Sequence, residues 1–290
     1  MSKCCVTGSA GRVGRAIYEM LSARGHSVVG LDRTPSSTTD IVADLRDVSH
    51  LKRALYGSDA VFHTGALHAP HVGVVSDEEF RSINVIGTEL VIKAARESGA
   101  RHFVLTSTTA LYGYASHDSN QASWVTEETV PQPRTIYHHT KLEAERIARD
   151  FAAKNFAVRV LRMSRCFPET PQEMAVYRLH RGIDARDVAT AHTSAITPNA
   201  SVFSLYNISG AHSFEREDCK RLKLDAAAVI RRRVPRLADA FDIRGWQLPQ
   251  SIDRVYVASK AMRELNWIPQ YDYNEVLDQF DHGSSEVLQE

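Results

Sequence analysis

The chain carries no excess charge of either sign. Its 35 Lys and Arg residues stand against 35 Asp and Glu, a formal net charge of zero. Nucleic-acid-binding domains usually bring a basic excess, so that class of function is disfavoured. Long apolar runs are lacking too. No stretch reaches the roughly 18 residues that a membrane span needs, so a membrane role is not expected. Cysteine is scarce: Cys4, Cys5, Cys166 and Cys219 contain no C-x-x-C pair. Reduced thiols in a cytoplasmic protein fit this best. A structured motif begins within the first ten residues, so no signal peptide is expected. Internal repeats and low-complexity tracts are also missing. What remains is an ordinary globular composition, 43% hydrophobic and 24% charged over 290 residues. A chain of that length buries about three quarters of its unfolded surface and needs no disulfide or metal to hold a core.

Apolar runs and helical periodicities alternate along the chain. Strands are predicted at 3–7, 26–31, 41–43, 60–63, 102–106, 158–163 and 203–208. Helices are predicted at 12–24, 51–56, 80–98 and 137–154. Strands separated by helices imply right-handed βαβ units and a mostly parallel sheet. The expected fold is α/β, a Rossmann-type doubly wound parallel sheet with a small C-terminal substrate-binding lobe. Residues 1–165 would form the dinucleotide-binding core. Residues 166–290 would form the lobe, interleaved with returning core segments.

Thr7-Gly8-Ser9-Ala10-Gly11-Arg12-Val13-Gly14 is a T-G-x-x-G-x-x-G run between a predicted strand and a predicted helix. Gly8 permits the tight turn, Gly11 lets backbone approach a pyrophosphate, and Gly14 lets helix and sheet pack closely. The anion then rests on the N–H groups of the helix N-terminus. Asp32 follows 18 residues after Gly14, where an acid grips the adenosine ribose and repels a 2′-phosphate. NAD is therefore favoured over NADP, although neighbouring Arg33 could pair with a 2′-phosphate. Asp44 and Leu45 are candidates for the adenine, with a turn or capping role as the alternative for Asp44.

Tyr137-His138-His139-Thr140-Lys141 is Y-x-x-x-K at a helix start, which puts the phenol and the ammonium on one face. The run Thr106–Gly113 places hydroxyls at the C-terminal end of a parallel strand, where ligands bind in open α/β sheets. Oxidising a carbinol needs a base for its proton. An unperturbed Tyr titrates near 10, and a neighbouring ammonium favours its phenolate. His138 and His139 point off that face. His63, His68 and His71 lie close together without a carboxylate pattern, so no metal site is expected, and His68 or His71 could reach a substrate. Arg231–Arg233 reads as a solvated surface run, with anion contact as the alternative.

These segments resemble the extended, NAD-dependent epimerase/dehydratase branch of the short-chain dehydrogenase/reductase superfamily. The resemblance rests on residues 7–14, Asp32, Val61–Ala66, Asn84–Thr88, Thr106–Gly113, Tyr137 and Lys141. It extends from residue 3 to about 195, with weaker likeness at 206–208 and 265–269. It implies that Thr108, Tyr137 and Lys141 are catalytic, Tyr137 as acid/base and Lys141 binding the nicotinamide ribose while lowering the Tyr pKa. Cofactor contacts would come from Gly8, Ala10, Gly11, Arg12, Val13 and Gly14, then Asp32, Asp44, Leu45, Gly65, Ala66 and Thr106. Phe167 and Pro168 would meet the nicotinamide. The substrate would meet His68, Thr108, Thr109 and Arg178, with Arg181 as the alternative to Arg178.

The chain departs from that branch in one respect. Only 24 residues separate Arg162 from Arg186, where sugar-nucleotide enzymes carry a long insert for the nucleotide diphosphate. Ser164–Glu169 also resembles uronate dehydrogenases, in which an Arg binds the substrate carboxylate. The implied activity is NAD-dependent hydride transfer at a hydroxyl or carbonyl of a sugar or sugar acid. The alternative is a sugar or sugar-nucleotide epimerase with tightly held cofactor. Thr109-Ala110 stands where the family's dehydratases carry Asp-Glu, which disfavours dehydration. The intact Thr108, Tyr137 and Lys141 disfavour a non-catalytic dinucleotide sensor. Helices 80–98 and 137–154 match the pair that forms a homodimer interface in relatives.

Overall fold

The structure is a computed structural model and describes residues 2–118, 120–196 and 201–284. The last residues of the expected lobe, 285–290, lie outside the described residues. In chain order the elements are β1 (Lys3–Thr7), α1 (Arg12–Ala23), β2 (Ser27–Asp32), β3 (Ile41–Val42), α2 (Val48–Leu55), β4 (Ala60–His63), α3 (Asp77–Arg81), α4 (Gly87–Glu97), β5 (His102–Thr108), β6 (Ser123–Val125), α5 (Ile136–Phe151), β7 (Ala157–Met163), α6 (Pro171–Arg178), α7 (Ala185–Ser194), β8 (Phe203–Ile208), α8 (Cys219–Leu224), α9 (Ala226–Arg233), α10 (Pro235–Ile243), β9 (Arg254–Tyr256), α11 (Ser259–Glu264) and α12 (Tyr273–Asp281).

The chain divides into two compact units. The first comprises the residues up to Leu111, then Pro133–Arg162 and Val188–Tyr206; the second comprises Tyr112–Gln132, Met163–Asp187 and the residues from Asn207 onward. Tyr112–Gln132 leaves the first unit early, and Val188–Tyr206 returns to it.

The first unit is built on a seven-stranded sheet of order β3-β2-β1-β4-β5-β7-β8. It is the Rossmann-type α/β architecture. β1 pairs in parallel with β2 on one side and β4 on the other, so strand order reverses there. Ligands bind at such a reversal, outside the carboxyl ends of the strands. β1 is central and covered on both faces, and Cys4 and Cys5 are fully buried. Burial pushes the Cys5 thiol up to about 12, so it stays protonated and packs as a small apolar group. Leu31, Val61, Phe103 and Val160 from the sheet pack against Leu51, Val91, Ile92, Ala144 and Ala148 from α2, α4 and α5. Each large apolar side chain buried this way contributes about 1.5–3 kcal/mol.

The helix expected at 80–98 begins earlier and is interrupted. A π-turn over Ser82–Ile86 separates α3 from α4. Buried Asn84 gives the physical reason. Its amide accepts from Leu67 N (2.7 Å) and donates to Leu67 O (2.9 Å) and Thr140 Oγ1 (3.1 Å). The widened turn lets one side chain tie the segment after β4 to α5.

The second unit has its own core, including Leu179, Leu222, Val229, Ile230, Leu237, Phe241 and Val255. In it β6 pairs in parallel with β9, Ser123 opposite Arg254 and Val125 opposite Tyr256. Arg231 pairs with Asp242, Arg232 with Asp218, and Arg233 with Asp218 and Glu215. The basic run at 231–233 is thus matched by acids of its own unit.

Candidate active site

The loop after β1 is shaped by two glycines that tolerate no side chain. Gly8 has φ +75°, and a Cβ there would lie 2.5 Å from Gly65 N. A Cβ on Gly14 would lie 2.0 Å from Gly8 O. At exposed Gly11, by contrast, a Cβ would meet only Gly8 O at 3.4 Å. Gly11 is also the N-cap of α1 and offers no side chain to its first turn. The N–H groups of Arg12, Val13 and Gly14 open that helix, which is the setting that receives a phosphate. This cradle fits a dinucleotide pyrophosphate. Asp32 closes it at the end of β2, where its carboxylate accepts from Ala10 N (3.1 Å) and Thr34 N (2.9 Å).

Asp44 is held by Arg46, which donates from its backbone N, Nε and a terminal nitrogen, each at 2.8 Å. These bonds keep its carboxyl below the ordinary range, with exposed Arg33 contributing. Leu45 lies against Gly65, where a Cβ would approach its Cδ1 to 3.0 Å. Asp32, Asp44, Leu45 and Gly65 are thus gathered around the ends of β1, β2 and β4.

The second group forms at the end of β5. Thr135 caps α5 by accepting from His138 N. Tyr137 in the first turn packs with Leu67, Phe80 and Ile83. Its phenol shares a hydrogen bond with Thr108, whose Oγ1 also accepts from Ala110 N at 3.1 Å. Burial pushes Tyr137 up to about 12, and the bond with Thr108 opposes that rise. Lys141 is buried and donates from Nζ to Thr106 O at 2.7 Å. Burial lowers it to about 8, opposed by the negative charge of Glu145. The pull on Tyr137 in the protein itself therefore comes from Thr108. Buried Thr109 begins the turn that follows.

Around this centre lie His63 and two residues that the sequence reading passed over, His192 and Glu145. His192 of α7 holds Thr106 Oγ1 at 2.6 Å through Nε2, and its Nδ1 is 2.7 Å from Val188 O. Burial lowers His192 to about 4. His63 is buried between Thr7 Oγ1 (2.6 Å) and Thr88 Oγ1 (2.9 Å) and is lowered to about 3. Glu145 is bound by Ser107 and Arg162. The signal that could have found Glu145 was its spacing, one further turn beyond Lys141.

His68 and His71 stack edge-on with ring centroids 4.6 Å apart, and His68 N donates to His71 Nδ1 at 3.0 Å. Among the described residues, no group of three or more His, Cys, Asp or Glu is placed to hold a metal. Nor is any helix among them long and apolar enough to cross a membrane.

Phe167, Pro168 and Arg178 lie in the second unit. Phe167 is exposed, with the Arg165 guanidinium 5.4 Å from its ring centre. Arg178 is buried and donates to Asp184 at 2.9 Å. Its guanidinium is therefore engaged with a carboxylate of its own unit, where the sequence suggested a substrate carboxylate. Arg181 lies over the Tyr177 ring at 4.2 Å.

The strand reversal at β1, the glycine cradle and Asp32 define a dinucleotide-binding fold of Rossmann type. The model of the NAD dependent epimerase/dehydratase family matches residues 4–180, and the chain belongs to that family. A 3-beta-hydroxysteroid dehydrogenase from Mycolicibacterium neoaurum is 30% identical over 159 residues, which is 50% of this chain and 42% of that protein. The chain thus spans under half the length of this curated relative. A short-chain dehydrogenase/reductase superfamily protein from Agrobacterium tumefaciens with bound NAD superposes with TM-score 0.71. It is 22% identical, and the match covers 96% of this chain and 95% of that one. A mutated uronate dehydrogenase superposes with TM-score 0.68 at 18% identity, covering 99% of this chain and 88% of that one. At these identities both structures share the fold.

Proposed function

We propose that the protein is an NAD-dependent dehydrogenase or reductase acting at a hydroxyl or carbonyl of a sugar or sugar acid, with Tyr137 as acid/base. The observation that carries this reading is the meeting of the α5 face with the end of β5, where Lys141 Nζ, one turn beyond Tyr137, donates to Thr106 O at 2.7 Å, two residues before Thr108. In the oxidative direction the Tyr137 Oη takes the proton of the substrate hydroxyl, and Thr108 Oγ1 holds the same oxygen in line. Tyr137 must first lose its own proton, which burial resists and the Thr108 bond eases. The Lys141 ammonium, one turn along the same face, adds positive charge beside a developing phenolate. Bound NAD would supply the hydride acceptor. Gly8 to Gly14 would hold its pyrophosphate, Asp32, Asp44 and Leu45 its adenosine, and Lys141 its nicotinamide ribose.

One feature supports this substrate class: the short 162–186 segment leaves little chain to grip a nucleotide diphosphate.

The test is reduced-nicotinamide absorbance with NAD and a panel of free aldoses, uronic acids, UDP-sugars and a 3β-hydroxysterol. Reduction of NAD by an aldose or uronic acid is the expected result. A UDP-sugar that changes configuration without net NAD reduction would make the protein an epimerase. Turnover of the sterol alone would keep the chemistry and overturn the substrate class.

A further inference from the structure

Tyr137, Lys141 and Glu145 recur every fourth residue and share one face of α5. Glu145 is 4% exposed, and a carboxylate is rarely buried so deeply unless it is paired. It accepts from Ser107 Oγ at 2.5 Å and from Arg162 at 3.0 Å (Nε) and 2.7 Å (a terminal nitrogen). The proposed reaction uses neither Glu145 nor Ser107 nor Arg162. Yet Ser107 stands between Thr106, whose carbonyl takes the Lys141 ammonium, and Thr108, which bonds Tyr137. One buried carboxylate is therefore tied to the strand end that holds both catalytic partners.

Building on the function proposed above, we propose that Glu145 is a positioning residue. Clamped by Ser107 and Arg162, it fixes the end of β5 against α5 and so holds Thr106 where the Lys141 ammonium meets it. Glu145 is the group that opposes the lowering of Lys141 by burial. The other titratable groups around this face do not replace it. His63 of β4 and His192 of α7 are buried and held neutral, and Arg162 of β7 is itself bound to Glu145. Arg81 of α3 pairs with Glu143 at the exposed rim. Glu89, Lys93, Arg96 and Glu97 of α4 are exposed, the π-turn carries no titratable side chain, and His102 lies at the opposite end of β5. On α5 itself His138 is half-buried and adjoins Arg134, while His139, Arg146 and Asp150 are exposed.

Lys141 is the one buried lysine of eight in the sequence, all eight among the described residues. Its titration can be followed by NMR of protein labelled with 13Cε-lysine, without cofactor. Glu145→Gln alone would leave the Arg162 charge buried without its acid, so the test variant is Glu145→Gln with Arg162→Met. The expected result is a Lys141 midpoint lowered by about one unit, with the alkaline limb of kcat/KM moving down alongside it. On that limb one unit is about a tenfold loss at fixed pH. An unmoved Lys141 midpoint in the folded double variant overturns the proposal, even if activity falls evenly at all pH values. If the variant fails to fold, Glu145→Asp decides: a Lys141 midpoint moved from its wild-type value supports the proposal, and an unmoved one overturns it. Undiminished activity of Tyr137→Phe would instead overturn the reaction, while the Lys141 titration would still report on Glu145.

Discussion

Asp32 should decide between NAD and NADP, and the structure sets the size of the effect. Its carboxylate is pinned by the N–H groups of Ala10 and Thr34, so it cannot swing away from a ligand on the glycine loop. Two unit charges about 4 Å apart interact by about 1 kcal/mol in water and about 4 kcal/mol near a protein surface. A 2′-phosphate brought against Asp32 would meet a repulsion in that range. The ribose diol of NAD instead donates to the carboxylate, and hydrogen bonds to charged groups contribute about 1.5–3 kcal/mol each. Asp32→Ser removes both terms. We expect NADP to gain about tenfold or more in kcat/KM and NAD to lose a similar factor. The preference should then fall by about two orders of magnitude, since 1.4 kcal/mol is tenfold. Exposed Arg33 adjoins Asp32, so in Asp32→Ser it is the candidate partner for a 2′-phosphate. The assay is kcat/KM with each cofactor at low and high salt, alongside cofactor Kd from quenching of intrinsic fluorescence. A preference within twofold of wild type, in a variant of unchanged fold, would refute the assignment of Asp32 to the ribose.

Tyr137→Phe removes the proton carrier and should lower kcat by about 10²–10⁴-fold, while NAD binding measured by calorimetry stays within a few-fold. Arg178→Met leaves Asp184 buried with one partner fewer; breaking a buried pair is destabilising by about 3–5 kcal/mol. Arg186 still reaches Asp184, so the lower end is expected in urea unfolding, with little change in KM for a sugar acid. A large rise in KM without loss of stability would return Arg178 to the substrate. Stability should also fall with mild acid. His63 and His192 are lowered from 6.5 to about 3 and about 4 by burial. Between those values and 6.5 the unfolded chain binds the extra protons, so their contribution is intact above 6.5 and drains as pH drops. At pH 5 each accounts for a loss of up to about 2 kcal/mol, whereas the lowered carboxylates of Asp44 and Asp184 are still ionised folded and unfolded alike. Equal urea midpoints at pH 7 and pH 5 would refute this.

The sheet of the first unit was legible because its central strands are buried on both faces and read as short apolar runs. β1, β4 and β8 fall on the predicted residues, and other ends shift by a residue or two. The glycine run was legible because steric demand at Gly8 and Gly14 leaves little choice of residue. Features made by distant side chains were not legible. The π-turn at 82–86 depends on Asn84 reaching Leu67 and Thr140, which periodicity does not encode. β6 and β9, three residues each, are too short for an alternation to register. Arg178 read as a candidate for a substrate acid because nothing in its local sequence announces its bond to Asp184.

The same reasoning explains why the centre of the site was only half visible. Y-x-x-x-K shows two residues of one helix face, but the face meets a strand end whose residues are each fixed separately. Thr106 is held through its hydroxyl by His192 and through its carbonyl by Lys141. Ser107 is held by Glu145, and Thr108 by Tyr137. Three of those four partners come from α5, so a small shift of that helix disturbs them together. Asn84, through Thr140, is one of the contacts that prevents such a shift. Preorganisation at Tyr137 is therefore a property of how α5 is seated, and residues that never touch a substrate can still govern the rate.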